Sequence, residues 1–154
     1  MQERLIVLYD AECVLCSKLV RFLIDRDPDG VIRFASLASG EVAGALMACT
    51  RCELSGGVPD SLVVIDGGRI YTHSSAALRI VRRLPRWRAA YMLVIFPKAL
   101  RDAAYRFVAR NRYRWFGRYD ACPVPDARLR SRLLTESEAA RYVELACISE
   151  QVWG

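Results

Sequence analysis

One histidine, His73, stands in this chain of 154 residues. With no second imidazole it supports no histidine-based metal site, and its place before an expected helix makes it a cap or surface residue. Long hydrophobic runs are absent as well. The longest, Ala89 to Pro97, reaches about half of the roughly 18 residues that a spanning helix needs, and it ends at a proline. Met1-Gln2-Glu3-Arg4 leads straight into a strand-like run, so no secretory signal is expected and a cytoplasmic protein is. Internal repeats are missing too. Apolar residues make up 53% of the chain, which excludes a disordered, collagen-like or low-complexity polymer. At this length they can fill one core, so residues 1–154 are expected to form a single domain.

Arginine and cysteine are the residues in excess. The formal charge is +6, and much of it falls between Arg79 and Arg132. Such a surplus can mark a nucleic-acid, lipid or acidic partner, although a solvated helix face explains it as well. Six cysteines are many for a reducing compartment, where a structural disulfide framework is not expected and redox chemistry or metal binding is. Cys13/Cys16 and Cys49/Cys52 form two close pairs, while Cys122 and Cys147 stand alone.

Arg4 to Tyr9 reads as a buried strand ended by Asp10. Cys16, Leu19, Val20, Leu23 and Ile24 then repeat at helical spacing up to the turn signal Asp27-Pro28-Asp29-Gly30. Val31 to Ala35 reads as a second strand and Glu41 to Cys49 as a short helix. Ser61 to Ile65 and Arg69 to Thr72 flank Asp66-Gly67-Gly68 as a hairpin. A helix should follow, capped by Ser74-Ser75. Strand, helix, strand, helix, hairpin, helix is the element order of a thioredoxin-like α/β fold, with a central mixed sheet of about four strands flanked by helices. Beyond Pro85 the spacing predicts helices over Trp87 to Phe96 and Lys98 to Arg110, then a turn-rich stretch from Arg112 to Pro125. A last helix should open on the capping box Thr135-Glu136-Ser137-Glu138 and run through Ala146. Residues 86–154 are expected to be a helical, arginine-rich extension packed on the domain.

Cys13 and Cys16 fall where the first strand should hand over to the first helix. A cysteine at a helix N-terminus faces unpaired N–H groups and the positive end of the dipole, which favour thiolate over thiol. Cys13 is therefore expected to be the attacking thiol, near the helix end and solvent. Cys16, on the apolar face, is expected to be the buried resolving thiol. Asp10 and Glu12 add negative charge nearby, so a reductant-like pair is expected rather than a strong oxidant. Asp10 could cap the helix or relay a proton to Cys16.

Asp10-x-x-Cys13-x-Leu15-Cys16, with Phe22, Arg26-Asp27 and Phe34-x-x-Leu37 downstream, resembles the DCC family of predicted thiol–disulfide oxidoreductases. Asp60-Ser61, Ser75-x-Ala77, Tyr105-Arg106 and the block Arg110 to Arg118 followed by Cys122 carry the likeness on, from about Leu5 to Leu134. The chain departs at Ala11, where glycine is usual. The resemblance implies a thioredoxin-like fold and a redox role; no cofactor is expected. Its partners would be a protein or small-molecule disulfide and a thiol donor, either glutathione or a thioredoxin-type protein. By analogy with thioredoxin-like proteins, Val58-Pro59 stands where a cis-proline beside the redox pair would bind substrate backbone.

Arg112, Arg114 and Arg118 are candidate partners for acids including Asp10, or stack on Tyr113, Trp115 and Phe116. Cys122 is a candidate auxiliary redox thiol. Cys147 is expected only to pack. Two other classes of function compete. Cys13, Cys16, Cys49 and Cys52 could hold a structural zinc, although neither pair has the Gly/Pro-rich flanks of a zinc ribbon. The arginine-rich part could bind nucleic acid or, through Tyr91 to Phe96, an anionic membrane surface. A core helix accounts for that run equally well.

Overall fold

The computed structural model describes residues 4–49, 62–121 and 123–152. At its centre lies β1 (Leu5–Tyr9), buried along its whole length. It pairs in parallel with β2 (Ile32–Ser36), Val7 opposite Phe34, and antiparallel with β3 (Val63–Asp66), Val7 opposite Val64. β3 turns back into β4 (Arg69–Thr72), and the sheet order is β2-β1-β3-β4. The hairpin needs positive φ at both turn residues, and Gly67 (58°) and Gly68 (72°) supply it without a Cβ clash.

Both sheet faces are covered, which is why these strands read as unbroken apolar runs rather than alternating ones. Leu5, Val7, Phe34 and Val64 meet α1 (Val14–Arg26) and α3 (His73–Arg83) through Val20, Leu23, Ala76 and Ile80. On the other face Ile6, Leu8, Val63 and Ile65 meet α2 (Gly40–Ala48) and α6 (Glu136–Val152) through Val42, Leu46, Ala139 and Val143. The expected mixed sheet with helices on both sides is the observed one. α1 stops at Asp27, which precedes Pro28 and leaves helical geometry (φ −115°, ψ 75°). The capping box forms: Thr135 N–H donates to Glu138 Oε2 (2.9 Å), and Glu138 N–H donates to Thr135 Oγ1 (3.3 Å).

The second half departs from expectation in four places. Pro85–Ile95 is a 3-10 helix with no buried residue, so Tyr91 to Phe96 is not a core helix. α4 (Lys98–Phe116) runs through Arg112 instead of ending near Arg110, and stops where Gly117 takes φ 83°. A short α5 (Ala127–Arg130) follows, capped by Asp126, whose carboxylate accepts the Leu129 N–H at 2.8 Å. α3 begins at His73, and Ser74 is no cap: its hydroxyl and N–H both donate to Asp102 of α4. Burial alone would raise the Asp102 carboxyl, but Ser74 and Lys98 outweigh it and hold the group below its ordinary range. After α5 the chain lies along the outer edge of β2. Phe34 N–H donates to Arg132 O (3.0 Å) and Leu134 N–H to Phe34 O (2.9 Å), which closes that edge.

Candidate active site

β1 delivers Asp10 to the C-terminal end of the sheet, and α1 starts four residues later. Asp10 Oδ1 accepts the Glu12 N–H (3.0 Å) and Asp10 O accepts the Cys13 N–H (3.3 Å), which curls the chain into the helix. Asp10 therefore shapes the turn but does not cap the helix. Cys13 occupies the N-cap, and its Sγ accepts the Cys16 N–H at 3.4 Å. The sulfur takes the place that a serine or aspartate oxygen usually fills.

Cys13 is 0% exposed and Cys16 9%, so the cysteine expected at the surface is the more deeply covered of the two. The cover comes from the far end of α4. Gly117 reverses the chain, Arg118 forms a β-bridge with Cys13, and Tyr119 N–H donates to Glu12 O (2.9 Å). Arg118 also pairs with Glu12 at 2.8 Å across an exposed surface. Burial, foremost, then the hydrogen bond and charge of Cys13, push the Cys16 thiol from 9.0 up to about 12; Arg112 opposes the shift and Asp10 adds to it.

α4 brings two more groups to the same place. Arg112 is 4% exposed; its Nη2 donates to Asp10 Oδ2 (3.3 Å) and to the Tyr113 hydroxyl (2.8 Å). The Tyr113 hydroxyl donates to the same Asp10 oxygen. Burial and the Asp10 hydrogen bond raise the tyrosine against the pull of Arg112. Burial works against the Arg112 charge, but Tyr113 and both cysteines more than offset it and raise the group. Arg112 Nε is buried with no hydrogen-bond partner among the described residues. A permanent cation is thus buried beside both sulfurs, held by the aspartate that opens the motif. Arg112 and Arg118 both lie over the Tyr113 ring, 4.6 and 4.8 Å from its centroid. Beyond Ala11 and Ser17 a groove of about 160 Å³ runs along α1 toward Pro123, Val124 and Pro125.

Of the expected site residues, Asp10, Cys13, Cys16, Arg112 and Arg118 come together. Arg114 is exposed and takes no part. Val58, Pro59, Cys52 and Cys122 lie outside the described residues. Cys147 does more than pack: it forms a disulfide with Cys49, their Cα atoms 5.7 Å apart across 98 residues of sequence. Cys49 is thus neither an ordinary thiol at a helix end, as its place in the sequence suggests, nor bonded to Cys52, and it is not available to a four-thiolate zinc site. Among the described residues no cluster of three or more His, Cys, Asp or Glu side chains could hold a metal ion. Arg112 meets both of its expected kinds of partner, Asp10 and the Tyr113 ring, whereas sequence reasoning missed the Tyr113 hydroxyl on Asp10. Nothing in their spacing shows that α4 folds back onto the start of α1.

Residues 7–118 match the model of a protein family described as DCC1-like thiol-disulfide oxidoreductase. The uncharacterized protein YuxK of Bacillus subtilis (strain 168) is 40% identical over 134 residues, covering 84% of this chain and 93% of its own. A DCC family protein of Arabidopsis thaliana, named as chloroplastic, is 38% identical over 127 residues, covering 79% of this chain and 70% of its own. No solved structure matches.

Proposed function

We propose, from the premise that the chain belongs to the DCC1-like thiol-disulfide oxidoreductase family, that Cys13 and Cys16 cycle between dithiol and disulfide through a mixed disulfide with a protein or small-molecule substrate. One observation carries the assignment of roles. Cys13 Sγ sits on the N-terminus of α1 as acceptor of the Cys16 N–H, while Cys16 is held protonated up to about 12. Cys13, at the helix end, is the attacking sulfur, and Cys16 is the resolving thiol.

The Cys13 thiolate attacks one sulfur of the substrate disulfide; that S–S bond breaks, and the departing sulfur leaves as thiolate and takes a proton from water. Cys16 then passes its proton to Asp10 and attacks Cys13 Sγ. The Cys13–Cys16 disulfide forms, and the second substrate sulfur leaves as thiolate and takes the proton back from Asp10. Two electrons have passed to the substrate. Glutathione or a thioredoxin-type protein returns them by the reverse exchange. Asp10 suits the middle step because its carboxylate is fixed by Arg112 and Tyr113 and its charge already acts on Cys16. Since Cys13 is buried, the Arg118–Tyr119 segment has to swing away before a substrate sulfur can reach it.

Reaction with oxidised glutathione, followed by mass spectrometry of the quenched chain, tests the scheme. Cys13→Ser is expected to abolish exchange. Cys16→Ser should accumulate one glutathione per chain on Cys13. Asp10→Asn should form the same adduct at a near-normal rate but release it at least tenfold more slowly. Undiminished exchange by Cys13→Ser overturns the role of the pair; unchanged release by Asp10→Asn overturns the proton transfer alone.

A further inference from the structure

Met92, Leu93, Val94, Ile95 and Phe96 are 43 to 72% exposed, and Leu100, on the first turn of α4, is 59% exposed. The run is held out from the body at both ends. Trp87 packs edge-to-face on Phe22 of α1 at 5.7 Å, and Arg101 Nε donates to Phe96 O at 3.0 Å. Exposed apolar residues continue along α4 with Phe107 and Trp115, whose rings lie 5.6 Å apart. An exposed apolar run of this length is uncommon on a protein that meets only water.

The charge around it is of one sign. Between Arg86 and Tyr119 the chain has nine basic residues and one acid, Asp102. That acid is buried and already held by Ser74 and Lys98. Arg86, Arg88, Arg106, Arg110 and Arg114 are exposed and have no acidic partner among the described residues. At the base of the apolar run, Arg88 and Tyr91 join Arg69 and Arg82 in lining an open cavity of about 760 Å³. Asp66, the one acid among its described lining residues, is occupied by Arg79 and Arg83.

We propose that this face, the 3-10 helix with the outer side of α4, docks on the surface of an anionic lipid bilayer. Aliphatic residues would enter the headgroup and acyl boundary, Trp115 would lie at its level, and the arginines would meet lipid phosphates. No helix among the described residues is long and apolar enough to cross a membrane, so the contact is peripheral. The chemistry discriminates against two other occupants. A second copy docked through the same face would set arginines against arginines with no acid to separate them. A nucleic acid would answer the arginines but not Met92, Leu93, Val94 and Ile95, which offer no ring for a base to stack on.

Co-sedimentation of the full chain with vesicles tests the proposal. The chain should pellet with vesicles of equal parts phosphatidylcholine and phosphatidylglycerol, not with phosphatidylcholine alone, and less so as salt rises. Each arginine near such a surface contributes a factor of about five, so Arg106→Gln with Arg110→Gln should weaken partition about 30-fold. Ile95→Asp with Phe96→Asp should weaken it at least tenfold. Both variants replace exposed side chains, and both are expected to keep the parental unfolding midpoint and glutathione exchange. Three results overturn the proposal: no pelleting with anionic vesicles; binding unchanged in both variants; or a dimer by light scattering that Ile95→Asp/Phe96→Asp splits while vesicles bind nothing. Binding to a single-stranded oligonucleotide without binding to vesicles would assign the face to nucleic acid instead.

Discussion

Cys16 has the least ordinary environment of any titratable residue described. Its proton is retained up to about 12, first because burial disfavours the thiolate and then because Cys13 lies beside it. A thiol raised in the folded state is bound more tightly there than in the unfolded chain. Its contribution to stability is therefore complete below the unfolded value of 9.0 and fades as pH climbs toward about 12. Urea unfolding of the reduced protein should show midpoints falling across that window, and Cys16→Ser should flatten this part of the curve. Equal slopes for the two proteins would mean that Cys16 carries no such burden. Asp10 is the other residue whose role depends on its surroundings. The motif puts a carboxylate near the pair, but α4 gives it Arg112 and Tyr113 as partners. Its carboxylate is thus fixed in place by two donors rather than left free in solvent.

Among the elements, the joint between the start of α1 and the end of α4 governs access. Cys13 is sealed by the β-bridge to Arg118, the Tyr119 hydrogen bond and the Glu12–Arg118 pair. The last is exposed, and such pairs contribute at most about 1 kcal/mol. Arg118→Ala should therefore speed alkylation of Cys13 by iodoacetamide by a factor of a few, up to about fivefold, with the unfolding midpoint nearly unchanged. A rate identical to the parent would show that another contact holds the cover. The same joint explains how α4 was misread from sequence. The block from Arg112 to Arg118 looks like a solvated loop because it mixes aromatics with charge. In the fold its first two residues turn inward onto Asp10, while Arg114, Trp115 and Phe116 stay outside.

Across the whole molecule, the Cys49–Cys147 disulfide ties the C-terminal end of α2 to α6 on the sheet face away from Cys13 and Cys16. Closing 98 residues restricts the unfolded chain strongly. Chain entropy puts the gain at about 4.7 kcal/mol, and disulfides commonly deliver about 2–4 kcal/mol. Under oxidising conditions Cys147→Ser should lose stability of that order in urea, whereas with dithiothreitol present the two proteins should unfold together. A difference that survives reduction would point to packing rather than the bond.

Much of this was legible in the chain itself. Leu5 to Tyr9, the 3.6-residue repeat from Cys16, Asp66-Gly67-Gly68 and Thr135-x-x-Glu138 each encode a local geometry. Their order selects a mixed sheet with helices on both faces, because strand burial, turn chirality and capping are decided within a few residues. The cysteine pair at the strand-to-helix junction was readable for the same reason. What only the tertiary structure decided are relations between distant residues. Cys147 finds Cys49, Arg112 and Tyr113 find Asp10, Arg118 covers Cys13, and the apolar run from Met92 to Phe96 is left outside. Spacing along a chain carries no record of which helix faces another. Each of these outcomes follows from how α4 and α6 fold back on the sheet, where burial and hydrogen bonding are settled by neighbours about a hundred residues away.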